Sequence, residues 1–269
     1  MKDHLKQILQ GVNQSALAQY LVREYLQARL LQVLQDRHAF QNWAFVGGTA
    51  LRFLYALPRF SEDLDFSLVQ SGTDDHFREL LTVAKKSFEA EAYQVSIKIK
   101  DHRTVKSAFI RFRGLLYELD LSPLASQTVS IKLEIDTCPP EGAGIATTIT
   151  RRHVVTHIQH YDQASLFAGK LHAILMRTYA KGRDMYDLMW YLSDKSWPKP
   201  NLVLLNNALV QTGWQGPVVT PETWPELVQH RIDQFDWEQI LLDVRPFLER
   251  PEDQALLTKE NMAKLLLQA

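Results

Sequence analysis

Two short runs hold the residue types that could do chemistry: Val46-Gly47-Gly48-Thr49-Ala50-Leu51 and Arg59-Phe60-Ser61-Glu62-Asp63-Leu64-Asp65-Phe66. A strand that ends in Gly-Gly lets backbone approach a phosphate with no Cβ in the way. A helix opening at the same point turns its free N–H groups and positive dipole end on that phosphate. Thr49 can add a hydroxyl. Thirteen residues separate Thr49 from Asp63, enough for one helix, a turn and the start of a neighbouring strand. On a strand, Asp63 and Asp65 project from one face while Leu64 and Phe66 turn to the core. Two carboxylates so close repel unless a cation lies between them. Mg²⁺ suits that role, since it takes oxygen ligands and shares them with substrate phosphates. A pair of this kind can support two metals flanking an in-line phosphoryl displacement.

Elements must hold these residues in place. Residues 15–36 predict a helix with Leu17, Tyr20, Leu21, Ala28 and Leu31 near one face. Trp43–Val46 reads as a short strand, and Thr49 starts a helix that runs to about Ala56 and stops before Pro58. Asp63–Val69 alternates as a strand. Residues 74–92 predict an amphipathic helix that begins at Asp74 or Asp75. Stretches 93–100, 104–113, 129–137 and 147–155 are rich in Val, Ile and Thr and read as strands. From Asp162 onward the pattern is helical: 163–178, 184–194, 201–211, 222–235, 237–248 and 252–267. The expected fold is α/β (α+β), a mixed sheet with helices followed by a helical C-terminal domain, divided as 1–158 and 159–269.

The composition narrows the classes. The chain has 269 residues, 46% hydrophobic and 23% charged, with a formal net charge of −1. Disorder is excluded, because apolar residues are spread along the whole chain. A lone cysteine, Cys138, cannot make an intrachain disulfide or a cysteine-rich zinc site. No apolar run reaches the ~18–20 residues that span a bilayer, and the first ten residues lack a signal peptide's apolar core. A cytoplasmic location is expected. Charge is uneven: residues 85–115 carry eight basic against three acidic side chains, and residues 221–269 five against ten. A basic middle fits an anionic substrate, nucleotide or nucleic acid. No P-loop, no G-x-G-x-x-G after a strand and no G-x-S-x-G is present. His153, His157 and His160 would share a face on a helix, but Val154-Val155-Thr156 favours a strand, which scatters them.

A Gly-Gly corner, one helix and then D-x-D is the signature of polymerase-β-like nucleotidyltransferases. The spelling GGTALRFLY followed by RFSEDLDF resembles the AbiEii/AbiGii toxin family within that superfold. The run Leu166-Phe167-Ala168-Gly169-Lys170-Leu171-His172-Ala173, then Arg183-Asp184-Met185-Tyr186-Asp187-Leu188, is similar to that family's later elements. The matched blocks span residues 46–192, and residues 195–269 carry no such motif. The resemblance implies an NTP-dependent, Mg²⁺ (or Mn²⁺) nucleotidyltransferase, the toxin of a bacterial toxin–antitoxin or abortive-infection system. It further implies tRNA 3′ ends as acceptor and a cognate antitoxin as partner.

On that resemblance Asp63, Asp65, Lys170 and Asp184 are the catalytic candidates, with Lys170 meeting a phosphate or the leaving group. Gly47, Gly48, Thr49, Arg59 and Arg183 are the nucleotide-binding candidates. The superfold also implies a third metal carboxylate from an adjacent strand. In Ile131-Lys132-Leu133-Glu134-Ile135-Asp136 the apolar residues alternate inward, which favours Glu134; Asp136 and Asp120 stay open. Asp184 can alternatively cap its helix after Gly182. Other acceptors, a small molecule or a protein side chain, or nucleotide binding without turnover, are the competing readings.

Overall fold

The computed structural model describes residues 2–72 and 75–269. Its elements run α1 (Lys2–Ile8), α2 (Ser15–Asp36), β1 (Trp43–Val46), α3 (Gly47–Tyr55), β2 (Asp63–Leu68), α4 (Phe77–Ala90), β3 (Gln94–Lys100), β4 (Val105–Arg113), α5 (Leu115–Glu118), β5 (Thr128–Asp136), β6 (Ile145–Arg152) and β7 (Val154–Tyr161). Six helices follow: α6 (Gln163–Met176), α7 (Gly182–Ser193), α8 (Leu202–Gln211), α9 (Trp224–Asp233), α10 (Trp237–Val244) and α11 (Lys259–Leu266). This is the expected mixed sheet with helices, followed by helices alone.

Seven strands form one sheet in the order β3-β4-β5-β2-β1-β7-β6. The pairs β1/β2, β3/β4 and β4/β5 are antiparallel, and β2/β5 and β1/β7 are parallel. Alternation fixes the register of β5. Ile131, Leu133 and Ile135 are fully buried, each worth ~1.5–3 kcal/mol of burial, and a one-residue slip would bring Lys132 and Glu134 into the core instead. The helices α2 and α4 contact each other, and they contact β5 and β3 respectively.

The chain packs as two units. The first holds residues 1–54, 60–139 and 147–160; the second holds 55–59, 140–146 and 161–269. Two short pieces from the expected first domain, 1–158, thus belong with the helices of the second unit. That unit's core includes an aromatic group, with Phe167 stacked on Tyr191 at 4.6 Å and Trp224 edge-on to Phe167.

Several expectations are refined. The buried side of α2 runs through Val22, Tyr25, Leu26, Leu30 and Leu34, with Leu17, Tyr20 and Leu21 only half-buried. The helix after the Gly-Gly corner starts at Gly47 rather than Thr49. Asp74 lies outside the described residues. The α4 helix starts at Phe77, whose N–H donates to the Asp75 carboxylate at 3.0 Å. The stretch 147–155 is two strands, β6 and β7, that meet at His153, a residue with φ +63°.

Candidate active site

In the first unit the sheet brings the glycine corner and the aspartates together. Val46, the last residue of β1, pairs with Asp65 of β2, so the chain turns into α3 beside that carboxylate. Gly47 makes the turn with φ +78°, and a Cβ there would collide with Asp65 Oδ2. Glycine is therefore required twice over, by its backbone angle and by the aspartate against it. Asp63 and Asp65 are both partly exposed, while Leu64 and Phe66 are buried between and beyond them. Both carboxylates thus leave the same face of the sheet.

The hydroxyl of Thr49 is placed differently from expectation. Thr49 is fully buried, and its Oγ1 donates to the Asp63 carbonyl. Its role here is to tie the first turn of α3 to the start of β2, not to present a hydroxyl to a ligand.

The parallel pairing of β2 with β5 sets Lys132 opposite Asp63 and Glu134 opposite Asp65. Lys132 Nζ lies 2.6 Å from Glu134 Oε2. Partial burial would lower the lysine's pKa, but Glu134, Asp63 and Asp65 outweigh that and raise it, so the ammonium persists among three carboxylates. Asp136 sits one pair further along, opposite Ser67, and accepts the Cys138 N–H. Asp120 lies outside the sheet, at φ +57°. Among the described residues no three acidic, histidine or cysteine side chains converge as a closed metal site. What the corner offers is an open donor set, two carboxylates beside a glycine N-terminus. That suits a hard cation whose remaining ligands are phosphate and water oxygens.

One face of α2 holds the approach to these aspartates. Tyr20, Arg23 and Gln27 are spaced by three and four residues and so line up along the helix. Tyr20 stacks on Phe60 with ring centroids 4.9 Å apart, and Arg23 pairs with Glu62 at 3.0 Å. Gln27 Nε2 donates to the carbonyls of Ser61 at 3.1 Å and Glu62 at 2.9 Å. Nothing in the sequence singled out Gln27 or Lys132. The only available signal was Lys132's place on the polar side of an alternating strand.

A second helical contact braces α3. Glu24 is buried on α2 and meets Arg52 of α3, Arg152 Nε at 3.0 Å and His153 Nε2 at 3.2 Å. Burial alone would raise its pKa; His153 and the two arginines prevail and hold it at about 2. His160 Nε2 instead lies 2.9 Å from Thr148 Oγ1. His153 sits at the turn between β6 and β7 and His157 and His160 lie on β7, so the three are scattered as the β-branched residues between them predict.

The remaining candidates lie in the second unit. Asp187 is fully buried and takes both prongs of Arg59, Nε and Nη2, at 2.6 Å each. Lys170 Nζ reaches Asp187 Oδ2 at 2.6 Å and Asp184 Oδ1 at 3.1 Å, with 12% of its side chain exposed. Arg177 closes the chain on Asp184 Oδ2. Burial opposes every charge here, yet mutual attraction wins. Lys170 and Arg59 are raised and Asp187 is lowered, so all three stay ionised.

Arg59, expected at a phosphate, is 2% exposed with its fork occupied by Asp187. Asp184 does not cap α7; its carboxylate faces Lys170 and Arg177, and the helix opens at Gly182, where a Cβ would strike the Ile240 carbonyl. Arg183 lies with its guanidinium 4.3 Å from the centre of the Phe247 ring.

A family profile described as "Nucleotidyl transferase AbiEii toxin, Type IV TA system" matches residues 29–259. A crystal structure from H. pylori, classed provisionally as a nucleotidyltransferase, superposes with a TM-score of 0.50 at 20% identity, covering 92% of this chain and 97% of its own. The structure of JHP933 from Helicobacter pylori gives a TM-score of 0.49 at 21% identity, covering 93% and 94%. At 20% identity the likeness to the first of these is one of fold. No curated protein gives a significant match.

Proposed function

Because the chain belongs to the AbiEii nucleotidyltransferase toxin family of type IV toxin–antitoxin systems, we propose that it transfers a nucleotide from an NTP to the 3′ end of a tRNA in the cytoplasm, held in check by an antitoxin. The observation that carries this reading is the Asp65 carboxylate lying against Gly47 at the start of α3. It joins a phosphate-binding helix end and a cation-binding pair at one point.

In this reading the Gly47-Gly48 backbone receives the triphosphate at the N-terminus of α3. Asp63 and Asp65 hold a divalent cation, Mg²⁺ or Mn²⁺, with Glu134 as the third carboxylate of the row. Such a cation, when bound, lowers the pKa of the acceptor hydroxyl and stabilises the departing pyrophosphate. The hydroxyl oxygen would bond to the α-phosphorus as its proton passes to solvent, the bond from that phosphorus to the bridging oxygen would break, and pyrophosphate would leave with its electron pair. Lys132 offsets repulsion among the three carboxylates before substrate arrives. Thr49 and Gln27 fix the backbone from which Asp63 projects. In the second unit, Asp184 orients the Lys170 ammonium. Arg59, through Asp187, keeps the Lys170 ammonium in place.

The test is incubation of the purified protein with each labelled NTP and total tRNA, with Mg²⁺ or Mn²⁺, and then without RNA. Label at RNA 3′ ends supports the reading. Label only in protein or a small molecule, or none at all, overturns the choice of acceptor or the chemistry respectively.

A further inference from the structure

The face of the sheet that carries the aspartates does not end with them. Strand pairing continues the row from Asp63 to Lys132, then Phe109, then Lys98 at the β3 edge. The next row runs Asp65, Glu134, Ser107, Lys100. At ~4.8 Å per strand, Lys98 stands ~14 Å from Asp63 and Phe109 ~10 Å. The opposite face is core: Ala108, Ile110, Phe112, Leu133 and Ile135 are fully buried. Here Lys98, Lys100, Arg111 and Arg113 are exposed and Phe109 is half-exposed.

Two features set this surface apart. Several basic residues elsewhere in the first unit are paired, among them Arg29 with Glu91, Arg78 with Asp101 and Lys106 with Asp75. Lys98, Lys100, Arg111 and Arg113 make no ion pair among the described residues. An aromatic ring also lies in the middle of these charges, with the Arg111 guanidinium 6.0 Å from the Phe109 centroid. Cations flanking a half-exposed ring on an open sheet are what a single-stranded nucleic acid needs, phosphates on the lysines and arginines and a base on the ring. A duplex keeps its bases stacked inside and cannot use the ring.

We propose that this face, from Phe109 and Arg111 to Lys98 and Lys100, is the seat of a single-stranded RNA 3′ end whose terminal hydroxyl lies at Asp63 and Asp65. The proposal rests on the nucleotidyl-transfer reading and deepens it. A stacked strand advances ~3.4 Å per nucleotide, so the ~14 Å from Asp63 to Lys98 accommodates about four nucleotides. Specificity then lies in having an unpaired end of that length, not in its base sequence.

The test uses the full chain and a 5′-fluorescent single-stranded oligoribonucleotide with a free 3′ hydroxyl, read by anisotropy. The variants are the double change Lys98→Glu with Lys100→Glu, and Phe109→Ala with Phe109→Trp as rescue. All are on the exposed side, and unchanged thermal unfolding verifies the fold. We expect the charge variant to bind RNA at least tenfold more weakly, with a salt slope shallower by ~0.7 per lost phosphate contact. Phe109→Ala should weaken binding about tenfold and Phe109→Trp restore it, while NTP affinity stays unchanged in every variant. A fully paired duplex should compete poorly. Equal RNA affinity in wild type and variants, or duplex binding as tight as single strand, overturns the proposal, as does weakened NTP affinity in step with RNA. The parent reading fails separately. A wild type that transfers nucleotide to no acceptor, yet binds RNA through these side chains, refutes transfer and keeps the surface. Transfer to a protein or small molecule with no RNA affinity does the reverse.

Discussion

At the scale of single residues the central claim concerns Asp63 and Asp65. Both leave the sheet on its solvent side, so neither is needed to fill the core. Asp63→Asn and Asp65→Asn should each abolish nucleotide transfer and leave the thermal unfolding midpoint within a degree or two. Retained transfer in the double variant would sink the mechanism. Gln27 acts one step back. Gln27→Leu leaves the Ser61 and Glu62 carbonyls without their donor, and the strand that follows loses its fixed start. Expected are a fall in kcat of tenfold or more, an unchanged KM for NTP and weaker Mn²⁺ binding by direct titration. Gln27→Asn should rescue poorly, since its amide is one methylene short. A variant that merely unfolds more easily, with normal kcat below its melting point, would make Gln27 purely structural. The sequence exposed the aspartates and glycines because their types and spacing are rare together. It hid Gln27, because a mid-helix glutamine is ordinary and its partners lie thirty-four and thirty-five positions away.

Elements are held by buried charge more than their patterns suggest. Asp187 on α7 is shut off from water and balanced by Arg59 and Lys170. Asp187→Ala removes the two-pronged partner of Arg59 and leaves Lys170 with Asp184 alone, and should cost ~3–5 kcal/mol, read as a lower midpoint in urea. A loss below 1 kcal/mol would mean that water reaches the cluster. The Glu24 brace between α2, α3 and the turn at His153 adds a pH dependence. Its pKa falls from 4.5 to about 2 on folding, so the folded state binds the proton less tightly than the unfolded one. That stability is fully present above pH ~4.5 and disappears as pH falls toward 2, at most about 3 kcal/mol. Wild type should therefore lead Glu24→Gln in stability at pH 6, and the gap should narrow by pH 3; a constant gap would refute the assignment. Most elements were legible from periodicity. The β6–β7 pair was not, because a non-glycine residue in a left-handed turn gives no compositional break in a Val- and Thr-rich run. Arg59 was similarly misleading, since residue type does not reveal whether a charge faces a ligand or another charge.

The whole molecule contains no helix, among the described residues, long and apolar enough to cross a membrane. In the proposed reading the protein takes an NTP together with a cation that binds with it. The two carboxylates beside Gly47 repel a bare triphosphate, and a divalent cation removes that repulsion. NTP with Mg²⁺ at a hundredfold over Kd should stabilise the fold by ~2.7 kcal/mol and raise its melting temperature by several degrees. NTP with EDTA should raise it little; equal shifts would argue against the carboxylates as a cation site. The two-unit division was only partly legible. The change from strands to helices near residue 160 is written in composition, whereas the transfer of residues 55–59 and 140–146 to the second unit is not. Those pieces are too short to carry a pattern of their own, and only the contacts of residues such as Arg59 reveal where they belong.

The pairing of Arg59 with Asp187 also sets an order in time. The two are 128 positions apart, and at ~5–20 residues per second a ribosome needs roughly 6–25 s to deliver the second after the first. Throughout that interval a fully ionised guanidinium waits in the segment that ends just before Asp63 and Asp65. A chain cut short before Asp187 can complete the strands that carry both aspartates, but it can never bury Arg59 against its counter-charge. For a protein whose activity is toxic, synthesis itself thereby separates making the aspartate strand from finishing the helical unit. A broken message would yield fragments that lack the completed helical unit.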